Sequence, residues 1–339
     1  MNTINVFCPT WHEADSYGRV ARELSAALEN EGLRVNRYGA HAPDAPRSIA
    51  FGGIVLGWPE NAYVFGRLPL NGPRIHLTMF ESTTLPPGWA TTLNSADAVI
   101  VPSHWLVEVF RDSGVKVPLY VCPLGVSEAF QYVERPQRRE PFTFLAIGDR
   151  GRRKGWHLAG FAFQRAFENS MDYRLIYKCR PGALPGISNP NIEVVARDLS
   201  DTEMASLYAR ADCMVFPAAG EGQGLPPLEF AATGGRVIAT DWSGCSDYIR
   251  YIGEPLRYRM VSAWGSDNFL GGLGDWAEAD IDHLSQLMQK VASEPNRSRE
   301  GVWRANWVRA TYDWSRLGAF VRDVWEEVCD ARRRIRDAV

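Results

Sequence analysis

The stretch from residue 216 to residue 240, FPAAGEGQGLPPLEFAATGGRVIAT, constrains this chain more than any other. An apolar run at residues 212–216 reads as a buried strand leading into it. A glycine-rich turn follows, a helix opens at Pro226-Pro227 and stops at Gly234-Gly235, and residues 236–240 read as the next strand. Proline suits the first helical turn, where its missing N–H would have had no partner. Glycine supplies the left-handed stop. In such a unit the turn at residues 222–225 presents backbone N–H groups at a helix N-terminus, a seat for a phosphate.

Two carboxylates flank that seat. Glu221 stands in the turn, and Glu229, after seven intervening residues, stands in the first turns of the helix. An ionised carboxylate only accepts hydrogen bonds, so beside an anion seat its natural target is a pair of hydroxyl groups, such as a vicinal diol. One diphosphate seat with two diol acceptors fits a nucleotide sugar. For Glu229 alone an equal reading is an ordinary solvated acid, which the helix dipole favours at this position.

The segment GEGQGLPPLEFAATGGRVIAT resembles the E-x7-E signature of the retaining glycosyltransferases of family four, which have the GT-B fold. The resemblance implies that Glu221 faces the donor sugar and that Glu229 binds the ribose diol. It also implies that the amides of Gly222, Gln223, Gly224 and Leu225 touch phosphate and sugar.

A chain of 339 residues is long enough for two domains, each with its own core. With 45% hydrophobic and 23% charged residues the composition is globular. A net charge of −3 argues against a non-specific grip on nucleic acid or on an anionic membrane. The six cysteines are widely spaced, with no C-x-x-C pair and no Cys/His cluster, which suits a reducing compartment and a protein without zinc. The start, MNTINVFCPT, lacks a basic region ahead of its apolar run and is not expected to be a signal peptide. No apolar run approaches the ~18–20 residues a membrane span needs. The expectation is a cytoplasmic protein with at most peripheral membrane contact and no nucleic-acid partner.

Along the chain, residues 4–8 read as a first strand, residues 19–30 as an amphipathic helix closed by Gly32, and residues 33–38 as a second strand. Ligands bind beyond the carboxyl ends of such strands, so the Ser16-Tyr17-Gly18 turn is placed to face a substrate; an ordinary tight turn is the equal alternative. Strands are expected at residues 74–80 and 98–101, and helices at 87–94 and 105–112, the last with Ser103 as N-cap. Residues 127–140, SEAFQYVERPQRRE, suit an inter-domain linker. A second doubly wound unit opens with a strand at 142–147. The loop after it, GDRGRRKG, concentrates Arg150, Arg152, Arg153 and Lys154 before a helix at 156–167. A solvated basic loop is the competing reading. Against it, this loop and the Glu221 turn both follow strands and so open on one sheet edge, where cations suit a diphosphate. Ser200 with Glu203 makes a capping box, and Asp280-Ile-Asp282 reads as the start of an amphipathic helix rather than a metal site.

The basic loop resembles the family's phosphate-binding loop: Lys154-Gly155 matches, and Arg150 or Arg153 is the candidate arginine. Gly18 stands where the family has its N-terminal glycine loop. Many members carry a His after the strand corresponding to residues 74–80; here Glu81 is the nearest polar residue. His76 and His104 read as structural. The resemblance implies an α/β protein of GT-B fold, two doubly wound Rossmann-like domains facing each other across a cleft. Expected bounds are 1–126 for the acceptor-binding domain, 127–140 for the linker, 141–315 for the nucleotide-sugar-binding domain, and 316–339 for a helix returning to the first. The expected function is metal-independent, retaining transfer of a hexose-type sugar from a UDP- or GDP-linked donor to a glycan, lipid-linked or small-molecule acceptor. No further cofactor and no metal are expected. Catalysis is expected from Glu221, Lys154 and Glu81. The alternatives are a nucleotide-sugar epimerase of the same fold, or a non-catalytic sugar-nucleotide-binding module.

Overall fold

Short apolar runs alternate with amphipathic helices, and pairing those runs in parallel requires a helical crossover between neighbours. The computed structural model describes residues 3–12, 16–39, 52–59, 72–148, 151–182, 189–263 and 273–338. The chain divides into two units, the first comprising Met1–Phe80, Thr84–Gly125 and Tyr312–Val339, the second Glu81–Thr83 and Val126–Thr311.

The first unit contains β1 (Thr3–Cys8), α1 (Ser16–Asn30), β2 (Arg34–Gly39), β3 (Gly53–Leu56), β4 (Arg74–Leu77), α2 (Trp89–Leu93), β5 (Ala98–Val101), α3 (His104–Asp112) and β6 (Leu119–Val121). Its strands pair in parallel in the order β2-β1-β3-β4-β5-β6. The strands β3 and β5 are apolar and wholly buried, as expected of parallel strands, and β4 buries all but its first residue, Arg74. His76 lies inside β4, fully buried, with Nε2 at 2.9 Å from the Gly57 carbonyl. Burial pushes its pKa down to about 4, so it is a neutral core residue.

Two local expectations in this unit are corrected. Ser16-Tyr17-Gly18 is the first turn of α1, not a loop. Gly18 is required there because a Cβ would lie 2.5 Å from the His12 carbonyl oxygen and 2.9 Å from that of Thr10. The incoming loop packs flat on the helix start, which accounts for the glycine without a ligand. Ser103 does occupy the N-cap position of α3, but its hydroxyl makes no capping bond.

The second unit contains β7 (Phe142–Ile147), α4 (Trp156–Phe167), β8 (Tyr173–Cys179), β9 (Ile192–Ala196), α5 (Asp201–Ala209), β10 (Cys213–Phe216), α6 (Leu225–Ala232), β11 (Arg236–Thr240), α7 (Ile249–Ile252), β12 (Gly253–Leu256), β13 (Tyr258–Ser262), β14 (Asp275–Ala279), α8 (Ile281–Ser293) and α9 (Ser298–Thr311). Its parallel sheet runs β12-β11-β10-β7-β8-β9, and β13 and β14 form a separate antiparallel pair. The chain runs outward from β7 through β8 and β9, then returns to set β10 on the other side of β7. Strand order therefore reverses between β7 and β10, the switch point where ligands bind in open α/β sheets. An aromatic core of Phe142, Phe144, Phe163 and Phe167 holds α4 on β7, with Tyr173 stacked 3.9 Å from Phe167.

The capping box of Ser200 and Glu203 closes the start of α5. Asp280 caps α8 by accepting the His283 N–H at 3.0 Å, so the D-x-D acids serve a helix start. Residues 127–140, read above as a linker, are docked on this unit. Arg135 is buried, and its guanidinium donates to the carbonyls of Ala211 (2.9 Å), Thr233 (2.6 Å) and Tyr208 (3.1 Å). The last helix, α10 (Trp314–Asp337), belongs to the first unit and packs on α1, with Gly318 against Ala27 and an ion pair between Arg322 and Glu31. All six cysteines are buried thiols. Among the described residues no helix is long and apolar enough to cross a membrane.

Candidate active site

The loop after β7 and the loop after β10 both leave the carboxyl edge of the second sheet at its switch point, and they meet there. Arg152–Lys154 forms a single tight helical turn, which projects Arg153 and Lys154 toward the β10 loop. Lys154 Nζ donates to Glu221 Oε1 at 2.6 Å, and Arg153 Nη1 donates to the same oxygen at 3.1 Å. Arg153 also donates to the Gly220 carbonyl at 2.6 Å, while its own carbonyl accepts the Ala219 N–H at 2.6 Å. The two loops are thus tied through backbone as well as charge.

Glu221 is 7% exposed. Burial alone would push its carboxyl pKa up, but the charges and hydrogen bonds of Lys154 and Arg153 outweigh burial and hold it below the ordinary 4.5. Its Oε2 carries no bond among the described residues, so one oxygen anchors two cations and the other is available to a ligand. The main chain is equally fixed: the Glu221 N–H donates to Ser243 Oγ at 3.0 Å, and its carbonyl accepts the Gly244 N–H at 2.9 Å. Ser243 holds this post at φ 55, a left-handed conformation that a non-glycine residue adopts only under local constraint.

Glu81 joins this cluster. The short segment Glu81–Thr83 belongs to the second unit, where the Ser82 hydroxyl donates to the Leu273 carbonyl and Asp275 N–H donates to Thr83 Oγ1 at 2.8 Å. The Glu81 backbone lies so close to Gly220 that a Cβ there would stand 2.1 Å from the Glu81 carbonyl oxygen. The Glu81 carboxyl is half-buried. Burial pushes its pKa up; Glu221 adds to that, and Arg153 and Lys154 oppose it. One cluster therefore holds two carboxyls whose pKa values move apart, the arrangement that separates proton donor from anion.

The turn at 222–225 leads into α6. Gly224 is its N-cap at φ 82, a left-handed conformation that favours glycine, and Tyr248 donates to its carbonyl at 2.7 Å. Leu225 opens the helix, and Pro226 and Pro227 after it bring no N–H of their own. Gln223 is buried in this turn. Glu229, in α6, is 4% exposed and accepts the Tyr208 hydroxyl at 2.8 Å, with Tyr208 itself wedged between Phe130 and Phe230.

Of the residues singled out in the sequence, Glu221, Lys154, Arg153 and Glu81 come together, with Gly222, Gln223, Gly224 and Leu225 on the adjoining turn. Glu229 is tied to Tyr208. Gly18 lies in the first unit, and Arg150 lies outside the described residues. Ser243, Tyr208 and Tyr248 were not foreseen. Ser243 follows the strand after the motif, which was the one available signal; Tyr208 and Tyr248 sit in segments with no pattern pointing to the site. Among the described residues no group of three His, Cys, Asp or Glu side chains is placed to hold a metal ion.

Residues 128–256, which contain the whole β7–β10 edge, match the family described as Glycosyl transferases group 1. The chain is 21% identical over 324 residues to the protein assigned as glycosyltransferase 45 in Sulfolobus islandicus filamentous virus (isolate Iceland/Hveragerdi), covering 89% of this chain and 91% of the viral one. It is 25% identical over 188 residues to the MMP α-(1→4)-mannosyltransferase of Mycolicibacterium hassiacum, covering 53% of this chain and 41% of the other. In structure it is similar to sucrose-phosphate synthase from Thermosynechococcus elongatus, with a TM-score of 0.72 at 15% identity over 97% of this chain and 100% of that one. The family match over 128–256 and these likenesses together support a glycosyltransferase of GT-B fold.

Proposed function

We propose that this protein is a metal-independent, retaining glycosyltransferase that moves a hexose-type sugar from a nucleotide-sugar donor to a glycan, lipid-linked or small-molecule acceptor in the cytoplasm. The observation that carries the proposal is the cluster at the switch point, two cations on one buried carboxylate beside the N-terminus of α6. In the proposal the diphosphate lies across Lys154, Arg153 and the turn at 222–225, with Glu229 on the ribose diol and the open oxygen of Glu221 toward the sugar. As the bond from the anomeric carbon to the β-phosphate oxygen breaks, the electron pair stays on that oxygen. Preorganised cations and amides stabilise the charge where it grows. The acceptor hydroxyl oxygen bonds to the anomeric carbon and gives its proton to the released β-phosphate oxygen. The mannosyltransferase relative supports a hexosyl donor.

Because cations and helix dipole already meet the diphosphate, turnover is expected to be unchanged in excess chelator. The assay is release of nucleoside diphosphate from UDP- and GDP-hexoses, with the product's anomeric configuration read by NMR. An absolute requirement for added magnesium or manganese, or an inverted product, would overturn the proposal.

A further inference from the structure

At the opposite edge of the same sheet lies a cavity of about 630 Å³ that has no part in the cluster described above. The strands β11 and β12 run parallel, so Arg236 and Gly253 mark their amino ends, whereas the site residues follow the carboxyl ends of β7 and β10. The length of a strand, ~13 Å for five residues, separates the two edges. One wall is a face of α9 bearing Arg299, Trp303 and Arg304; Tyr251 lines another.

The chemistry of the walls is specific in two ways. Trp303 and Tyr251 are 50% and 57% exposed, large flat rings left open. Each stacks on Trp307, at 6.3 Å and 4.9 Å with interplanar angles of 17°, so the rings form an ordered platform rather than a loose patch. Cations stand beside it with charge to spare. Arg236 is taken by Glu294 at 2.5 Å, Arg297 by Glu300 at 3.1 Å, and Glu254 is met by Lys290 at 2.9 Å. Arg299 has no ion pair among the described residues. Arg304 donates from Nη2 to the Gly234 carbonyl at 3.1 Å, but its Nε is buried with no acceptor. Burial first, then the Arg236 charge, lower the Arg304 pKa to about 10, with Glu300 opposing them.

We propose that this cavity binds an anionic saccharide, its pyranose face on the Trp303 platform and its phosphate or carboxylate on Arg304 and Arg299. The weakly positive C–H face of a sugar ring complements the negative face of an aromatic ring, and guanidinium forks match phosphate and carboxylate oxygens. The inference is independent of the donor proposal, because it uses other residues on another edge.

The test is calorimetric titration of the full chain with glucose 6-phosphate and with glucuronate, which separate the phosphate from the carboxylate source. Glucose, inorganic phosphate and adenosine monophosphate serve as comparisons. Saturable binding of one of the anionic sugars is expected, weakened ~10-fold or more in Trp303→Ala and in Arg299→Ala and unchanged in Glu221→Gln. Both variants alter exposed side chains, and unchanged thermal unfolding verifies that they fold. No binding of either anionic sugar at millimolar concentration would overturn the proposal. So would equal binding of glucose, or binding that both variants retain. Tighter binding of adenosine monophosphate, lost in the same variants, would replace the saccharide with a nucleotide.

Discussion

Replacing Glu221 by Gln is expected to lower kcat by ~10²-fold or more while the donor still binds, because the carboxylate acts where charge redistributes as the glycosidic bond breaks. The structure adds a second consequence. Glu221 Oε1 is the shared anchor of Lys154 and Arg153, so a neutral amide there replaces two charge-assisted bonds with weaker ones. Both cations are about a quarter exposed, and water recovers part of the loss. The expected destabilisation is ~1–2 kcal/mol, visible as a fall in Tm of a few degrees. The pH dependence follows from the direction of the shift. The Glu221 pKa is held below the ordinary 4.5, so its contribution is fully present above about pH 4.5 and is lost as pH falls through the lowered value. Thermal unfolding of Glu221→Gln should therefore lose less stability than the parent between neutral and acid pH. By contrast, Glu229→Gln should raise KM for the donor and leave kcat nearly unchanged, since a ribose contact is alike in ground and transition states. A Glu221→Gln enzyme with the parent's kcat, or the reverse kinetic pattern in the two variants, would contradict these roles.

Lys154→Ala is expected to weaken binding of the nucleoside diphosphate by ~1.5–3 kcal/mol, roughly 10- to 150-fold, the worth of a hydrogen bond to a charged group. The same change removes the closer of the two cations on Glu221, leaving Arg153 alone at 3.1 Å. The Glu221 pKa should then rise, and the acid limb of the kcat profile should move to higher pH. Titration calorimetry and a pH–rate series measure the two effects separately. Unchanged nucleotide affinity would mean that Arg153 carries the diphosphate without Lys154, or that the loop only faces solvent.

Much of the second sheet's carboxyl edge was legible because its punctuation is local. Glycines and prolines mark where β10 ends, where α6 begins and where it stops, and an apolar run on each side can only be a buried parallel strand. The basic loop was legible for the same reason, as a strand followed by Lys-Gly and a helix. What was not legible depends on contacts far apart in sequence. In the sequence Glu81 is only the polar residue nearest the place of an absent histidine, yet what brings it to Glu221 is the packing of Ser82 and Thr83 against the start of β14, some 190 residues away. Ser243 supports the Glu221 backbone from the tight turn that follows β11, and Tyr208 meets Glu229 from α5. The pair β13–β14 was missed because DWAEA carries the acids of a helix start within a strand. The Ser16–Gly18 segment failed in the other direction: small polar residues resemble a turn, but they begin α1 because the preceding loop packs against Gly18.

The central claim, that the switch-point cluster seats a sugar nucleotide, is tested most directly by thermal unfolding of the free protein with UDP, GDP and their hexose conjugates in excess chelator. A ligand that binds only the folded state, present at 100 times its Kd, stabilises by ~2.7 kcal/mol. The expected result is a rise in Tm with one base and its hexose conjugate that is lost in Lys154→Ala. No shift with any of these nucleotides, or an equal shift in Lys154→Ala, would contradict the claim.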